Sequence, residues 1–548
     1  MKMADIVLFS NAIFDSVKDE PFPGGIAICG ERIECVGTKE AVKKLIGTNT
    51  IVRDYGDQLI MPGFCDGHIH LEGASNRFCA PKVQGLSECR SEAECVERVL
   101  EFAKEHPDVK RITGMGWALN YFGFDAPPPT KHSLDKYFPD TPVYLQATDG
   151  HTGWINTAAM KECDLEGWLA ANPDKNIPLL APREADGSLT GFLKEGPACY
   201  PFFFSIKVTP DEYAKYAVEL MDMCAENGIT GFTDLTMTKF ENLPAFFAPI
   251  KRLDNDGTLK VRMHMWPGLF PGQKPEELDA IKPYLDLYDT DMLHISGLKS
   301  VLDGISESQT AAMLEPYASD PSTKGTPAWD PDELNAAVAK ANQLGLSVKI
   351  HSIGDYAVRM ALDAYEFAGT TCDMSDIRNG VEHLENVDDA DVPRFAQLNA
   401  VASFQPAHAV LGHGFAEQNL GMERFKREFR WRDIIKCGAH FSLGTDAPVV
   451  PLNPFVSVFN AVTRLDVDGS QYSPYTADQV LTLPEALKGY TVEANYATKF
   501  EDKCGTLEPG KYADIVVWDK NPFAIDPMEI KDCCAVMTIC NGKIVYEK

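Results

Sequence analysis

Eight short apolar segments recur between residues 64 and 446, each followed by a stretch long enough to hold a helix. They are Phe64 to His70, Thr230 to Leu235, Val261 to Trp266, Leu298 to Leu302, Ser347 to His351, Gly380 to His383, Val401 to Gln405 and Phe441 to Asp446. Parallel strands cannot be joined by a tight turn, so the chain must cross back over the sheet, and a helix does this while covering its face. The segment Pro331 to Leu344 is one such crossover: Asp330 is placed to cap it, Pro331 opens it and Gly345 ends it. Eight repeats of this unit predict an α/β fold, a (β/α)8 barrel of the TIM type, with its chemistry at the carboxyl ends of the strands.

The interval from about residue 71 to 229 is too long for one connection and predicts a large insertion after the first barrel strand. It carries strand-like pieces of its own, Arg111 to Trp117 and Val143 to Ala147. The two ends of the chain read differently. Ile6 to Phe9, Gly25 to Cys29, Ile33 to Val36 and Ile51 to Arg53 are short strands, as are Ala513 to Trp518, Ala535 to Cys540 and Lys543 to Tyr546, the last two flanking the hairpin signal Asn541-Gly542. This predicts a small composite β-sandwich domain from residues 1–60 and 500–548 around a barrel of residues 61–499.

Acidic residues number 80 against 51 basic ones, a formal charge of -29 that opposes binding to nucleic acid or anionic membrane. Fifteen cysteines without paired spacing argue for a reducing cytoplasm rather than a disulfide framework. The apolar run after Asp5 is too short for a secretory signal, and no stretch approaches the roughly 18 apolar residues of a membrane span.

Side chains two apart on a strand leave by the same face, so His68 and His70 converge at the end of the first strand. Neutral imidazoles in that arrangement suit a divalent transition metal. In a chain with 12 histidines such a pair also has a bland reading, as surface polarity or a satisfied buried pair. Its position decides for the metal. Lys299, His351, His383 and Asp446 fall at the carboxyl ends of the fourth, fifth, sixth and eighth strands.

Six segments resemble the amidohydrolase superfamily of metal-dependent hydrolases, and within it the YtcJ-like group that includes N-substituted formamide deformylases. They are Met61-Pro62-Gly63-Phe64-Cys65-Asp66-Gly67-His68-Ile69-His70, Leu298-Lys299-Ser300-Val301-Leu302-Asp303-Gly304, His351-Ser352-Ile353-Gly354-Asp355, Gly380-Val381-Glu382-His383, Gly444-Thr445-Asp446-Ala447-Pro448, and the stretch Gly505 to Asp514. The resemblance implies that His68 and His70 bind a buried metal, His351 and His383 a more exposed one, and that Asp446 completes the site. It also implies that Lys299 bridges both metals as a carbamate, since an ammonium cannot ligate. A protonated Lys299 paired with Asp303 or with substrate is the alternative, and Glu195 is a second candidate bridge.

The implied activity is hydrolysis of a C–N amide bond in a small N-acyl or N-formyl substrate, at two divalent metals with zinc as default. A hydroxide shared by the metals would attack, because coordination lowers the pKa of water from ~15.7 to ~7. Asp446 would act as general base and acid, and His151 would hydrogen-bond the developing oxyanion. Trp117 and Trp154, with Trp266, Phe270 and Phe202 to Phe204, are candidates to line an apolar substrate pocket. Two readings compete. One is deamination of a ring amine at a single metal, which needs a proton shuttle where this chain has Gly354 followed by Asp355. The other is lactone or ester hydrolysis at the same centre. A homodimer is one assembly open to such a chain, and the sequence does not fix the oligomeric state.

Overall fold

A computed structural model describes residues 3–123, 126–148, 152–173, 177–205, 209–410, 416–471 and 474–548. The chain divides into two compact units, Met1–Phe78 with Tyr213–Lys548, and Cys79–Glu212.

In the first unit all eight expected segments are strands, and a further short strand, Leu293–Ile295, precedes the fourth, Gly297–Val301. Phe64–Ile69, Ile229–Asp234, Arg262–Met265 and Leu293–Ile295 pair in that order as one parallel sheet. Gly297–Val301, Ser347–Ser352, Gly380–His383, Val401–Phe404 and Phe441–Leu443 form a second. Isolated parallel bridges join Gly268 to Lys299 and Ile69 to Ala447 at the sheet edges. At the second of these edges, Asp446 N donates to His68 O at 2.8 Å and His70 N to Ala447 O at 2.9 Å. Glycine makes this approach possible: a Cβ on Gly444 would lie 2.5 Å from His68 N, and one on Gly67 2.7 Å from Leu443 O. The helix Pro331–Gln343 follows its sequence signals, Asp330 accepting from the Asp332 and Glu333 amides and Gly345 adopting φ 78 beyond its end.

Both termini enter one sheet of the same unit. Its order runs Lys543–Glu547, Ala535–Cys540, Ile515–Trp518, Leu59–Pro62, Ile6–Ile13, Phe22–Cys29 and Arg32–Gly37, with Ile51–Asp54 beside Ile6–Ile13. The Asn541-Gly542 turn has φ 50 and 74, the geometry a two-residue hairpin requires. Leu8, Ile26, Ile515 and Ile539 pack on one face of this sheet.

Arg262, on a parallel strand, pairs with Asp514 of the C-terminal segment through Nη2 at 3.0 Å and Nε at 3.2 Å, both residues buried. It also donates to the Asp291 carbonyl. Removing one member of such a pair strands the other charge out of water. Arg262→Ala is expected to cost about 3–5 kcal/mol, read as a fall in the urea unfolding free energy.

The second unit holds a sheet ordered Phe192–Lys194, Thr152–Ile155, Val143–Ala147 and Ile112–Trp117. The two strand-like pieces expected in the insertion therefore pair with each other. Trp117 and Trp154 meet edge to face in its core. Among the described residues no helix is long and apolar enough to cross a membrane.

Candidate metal centre

Histidines from two strand ends and from the turn Pro406–Val410 converge on Asp446. Its Oδ1 lies 3.0 Å from His70 Nε2 and 3.3 Å from His68 Nε2, and its Oδ2 lies 3.2 Å from His408 Nε2. His383 stacks against His408 at 5.5 Å between ring centroids and lies 5.0 Å from His68. Donor atoms of His68, His70 and Asp446 all lie within 4.8 Å of one another, as do those of His383, His408 and Asp446. Two neighbouring sets share one carboxylate.

The donors suit a cation. His68 Nε2, His383 Nδ1 and Asp446 Oδ1 are buried and make no hydrogen bond despite their proximity, an arrangement costly unless a further group satisfies them. Burial holds His68 at a pKa of about 4 and His351 at about 3, and keeps His383 well below the usual imidazole value. These rings are therefore neutral and offer lone pairs. Burial works against the charge of Asp446, but His68, His408 and His70 hold its carboxyl well below the usual range. Burial also opposes protonation of His408, yet the Asp446 and Glu385 carboxylates outweigh it and lift His408 to about 10. Together these are nitrogen and oxygen donors of the kind that bind zinc and similar divalent metals.

Glu382 fixes how His68 presents itself. Its Oε2 lies 2.6 Å from His68 Nδ1, and since a carboxylate only accepts, Nδ1 carries the proton and Nε2 faces Asp446. Lys349 Nζ, at 3.2 Å, and the Ser403 hydroxyl, at 2.6 Å, hold the same carboxylate. Burial would raise Glu382, but Lys349 and His68 keep it ionised. Glu382→Gln is expected to lower metal affinity about 10- to 100-fold, measured by competition with a chelator, while leaving the His68 ring in place.

Lys299 lines the same cavity, 1% exposed, its Nζ without a hydrogen-bond partner. Burial outweighs the Glu382 and Asp446 charges and lowers it to about 8. The cavity, about 500 Å³, has an aliphatic wall of Met237, Val301, Ile305, Ile353 and Val449. Among the described residues, none of the aromatic side chains expected to line a substrate pocket lies on it.

Trp117 and Trp154 instead belong to the core of the second unit. Both are fully buried, and their indole N–H groups donate to the carbonyls of Leu145 and Thr130. Trp266 is buried as well, against Lys349. His351 stands 4.4 Å from the His383 ring but points Nε2 at the Gly304 carbonyl, 3.4 Å away, and belongs to neither donor set. His408, a member of the second donor set, was not expected from the sequence. Glu195 is exposed, with φ 51, at the end of the strand Phe192–Lys194 of the second unit. His151 lies outside the described residues. The shuttle position of a deaminase is closed: a Cβ on Gly354 would fall 2.0 Å from Ala312 O, and Asp355 Oδ1 is engaged by the Leu314 amide at 2.7 Å. Asp303 accepts the amides of Ala312, Ile353 and Gly354, which leaves no need for a Lys299 partner. Cys65 turns away from the centre and packs beside Arg262 and Cys504, where burial pushes its thiol up to about 12.

Comparison with known proteins agrees with this chemistry. A profile described as "Amidohydrolase family" matches residues 52–546. A putative amidohydrolase, YtcJ, of Bacillus subtilis is 27% identical over 95% of this chain and 97% of its own. An N-substituted formamide deformylase of Arthrobacter pascens is 25% identical over 95% of each. Among solved structures, an uncharacterized metal-dependent hydrolase from Pyrococcus furiosus superposes with a TM-score of 0.77 at 25% identity, covering 94% of this chain and 99% of that one.

Proposed function

The chain belongs to the amidohydrolase family, and from that premise we propose that it hydrolyses the C–N amide bond of a small N-acyl or N-formyl substrate at a centre for two divalent metals. The observation that carries this reading is the pair of donor sets sharing Asp446, open to one cavity with Lys299. The likeness to an N-substituted formamide deformylase favours N-formyl amides as the first class to try. The reading also takes the two parallel sheets as one closed (β/α)8 barrel, bridged at their edges, and the terminal sheet as a β-sandwich domain of residues 1–60 and 500–548. Residues 61–499 are then the barrel and its insertion.

Two zinc or similar ions, when bound, would supply Lewis-acid activation of water and of the substrate carbonyl. His68 and His70 would hold one and His383 with His408 the other, with His351 beside them in the wall. Asp446 would serve both sets. Lys299 would be a further anionic ligand once its neutral amine adds to carbon dioxide and loses a proton to give a carbamate; its lowered pKa supports this by leaving free amine near neutral pH. Asp446 would take the proton of the attacking water and return it to the departing nitrogen. His151 is kept, on the resemblance of its motif alone, as the candidate donor to the oxyanion. The closed shuttle position at Gly354 disfavours ring deamination.

A panel of N-formyl, N-acetyl and aryl amides tests the reading. Amine release that a chelator abolishes and added zinc restores is expected; release only of ammonia from ring amines, or hydrolysis only of esters and lactones, overturns it.

A further inference from the structure

The His68 side of the centre is held by a lysine outside the described lining of the cavity. Lys349 lies on the strand Ser347–Ser352, in register between Lys299 and Gly380 of the neighbouring strands. It is completely buried, and none of its atoms belongs to either donor set. Parallel strands covered on both faces are built mainly from apolar residues, so a charge among them is costly unless it is paired. Gly380 has no side chain to intervene, and a Cβ there would meet Lys349 Cγ at 3.4 Å; the lysine stem passes over it toward Glu382.

Two partners receive the Lys349 Nζ. One is Glu382 Oε1, in an ion pair of 3.2 Å, and the other is the Gly67 carbonyl, which accepts a hydrogen bond at 3.1 Å. The Trp266 ring lies 5.3 Å away. Both partners bear on one residue. Gly67 immediately precedes His68, and Glu382 Oε2 accepts the His68 Nδ1 proton at 2.6 Å. A single nitrogen thus ties down the backbone entering His68 and the carboxylate that orients its ring. Without it Glu382, fully buried, would be a carboxylate against a neutral imidazole, a charge that a metal could balance only after binding. Lys349 balances it in advance.

We infer that Lys349 is a positioning residue for the metal centre: acting through Glu382, it aims His68 Nε2 toward Asp446 before any metal arrives. This role rests on the donor sets holding metal and is independent of which bond the enzyme cleaves. Support of this kind for a metal-binding imidazole is worth about 10- to 100-fold in affinity.

Zinc affinity, read by competition with a chelator on the full chain, is compared in wild type, Lys349→Met, Glu382→Gln and the double substitution. Lys349→Met is expected to weaken binding about tenfold. In the Glu382→Gln background the same change should alter affinity by less than about twofold, because the carboxylate through which Lys349 acts is already gone. A lysine that served packing or stability alone would lower affinity equally in both backgrounds. Undiminished affinity in Lys349→Met, or the same loss with and without Glu382, overturns the inference. If Lys349→Met does not fold, Lys349→Gln, which keeps a donor for Glu382 without the charge, takes its place with the same outcomes. Wild-type protein that takes up no zinc would refute the metal centre itself, and the amide reading together with this role.

Discussion

Asp446→Asn is expected to lower kcat/KM by about 10²- to 10⁴-fold, the range for loss of a positioned general base. The substitution keeps the shape of the side chain and its backbone bond to His68 O, so folding is not at stake. It removes the charge that three imidazoles approach within 3.3 Å. Two effects should appear together. Metal content, measured by elemental analysis, should fall because both donor sets lose their shared anion. Activity should remain low even when zinc is resupplied, because an amide cannot take a proton from water. A variant that regains more than about a tenth of wild-type activity on adding metal would reduce Asp446 to a ligand without a proton-transfer role.

Lys299→Ala is expected to reduce bound metal from two per chain to one or none and to abolish activity. The methylene stem of Lys299 is buried, so Lys299→Met, which keeps most of its volume, separates lost chemistry from a cavity effect. Carbon-13 NMR of wild-type enzyme supplied with labelled bicarbonate should show a carbamate signal that both variants lack. Wild-type protein that stays fully active with one metal and no such signal would show that Lys299 works as an amine.

The eight parallel segments are legible because each is short, apolar and followed by a helix-length stretch, and pairing of neighbours follows from that order. His68, His70, Lys299, His383 and Asp446 are legible for a related reason, since the strand-end rule brings them to one rim. His408 escapes the rule. It sits four residues past Phe404, in the turn Pro406–Val410, and only the tertiary fold returns it to Asp446. Glu382 escapes for another reason. Adjacent strand residues should face opposite ways, but His383 adopts φ 77, so alternation ends there and both Glu382 and His383 reach the centre. Trp117 and Trp154 mark the converse limit. A large aromatic fills a core or lines a pocket equally well, and composition does not distinguish the two.

The bond between Asp446 N and His68 O joins residues far apart in the order of synthesis. A chain emerging from the ribosome exposes His68 and His70 long before Asp446 exists. The earlier pair alone is a weak, open chelate. Metal capture thus waits for nearly the whole chain, and the same holds for the terminal sheet, where Leu59–Pro62 finds its partner Ile515–Trp518 only near the end of translation. Metal held by these residues would then report that the first and last thirds of the polypeptide have met, and incomplete chains would be kept from acquiring a reactive centre.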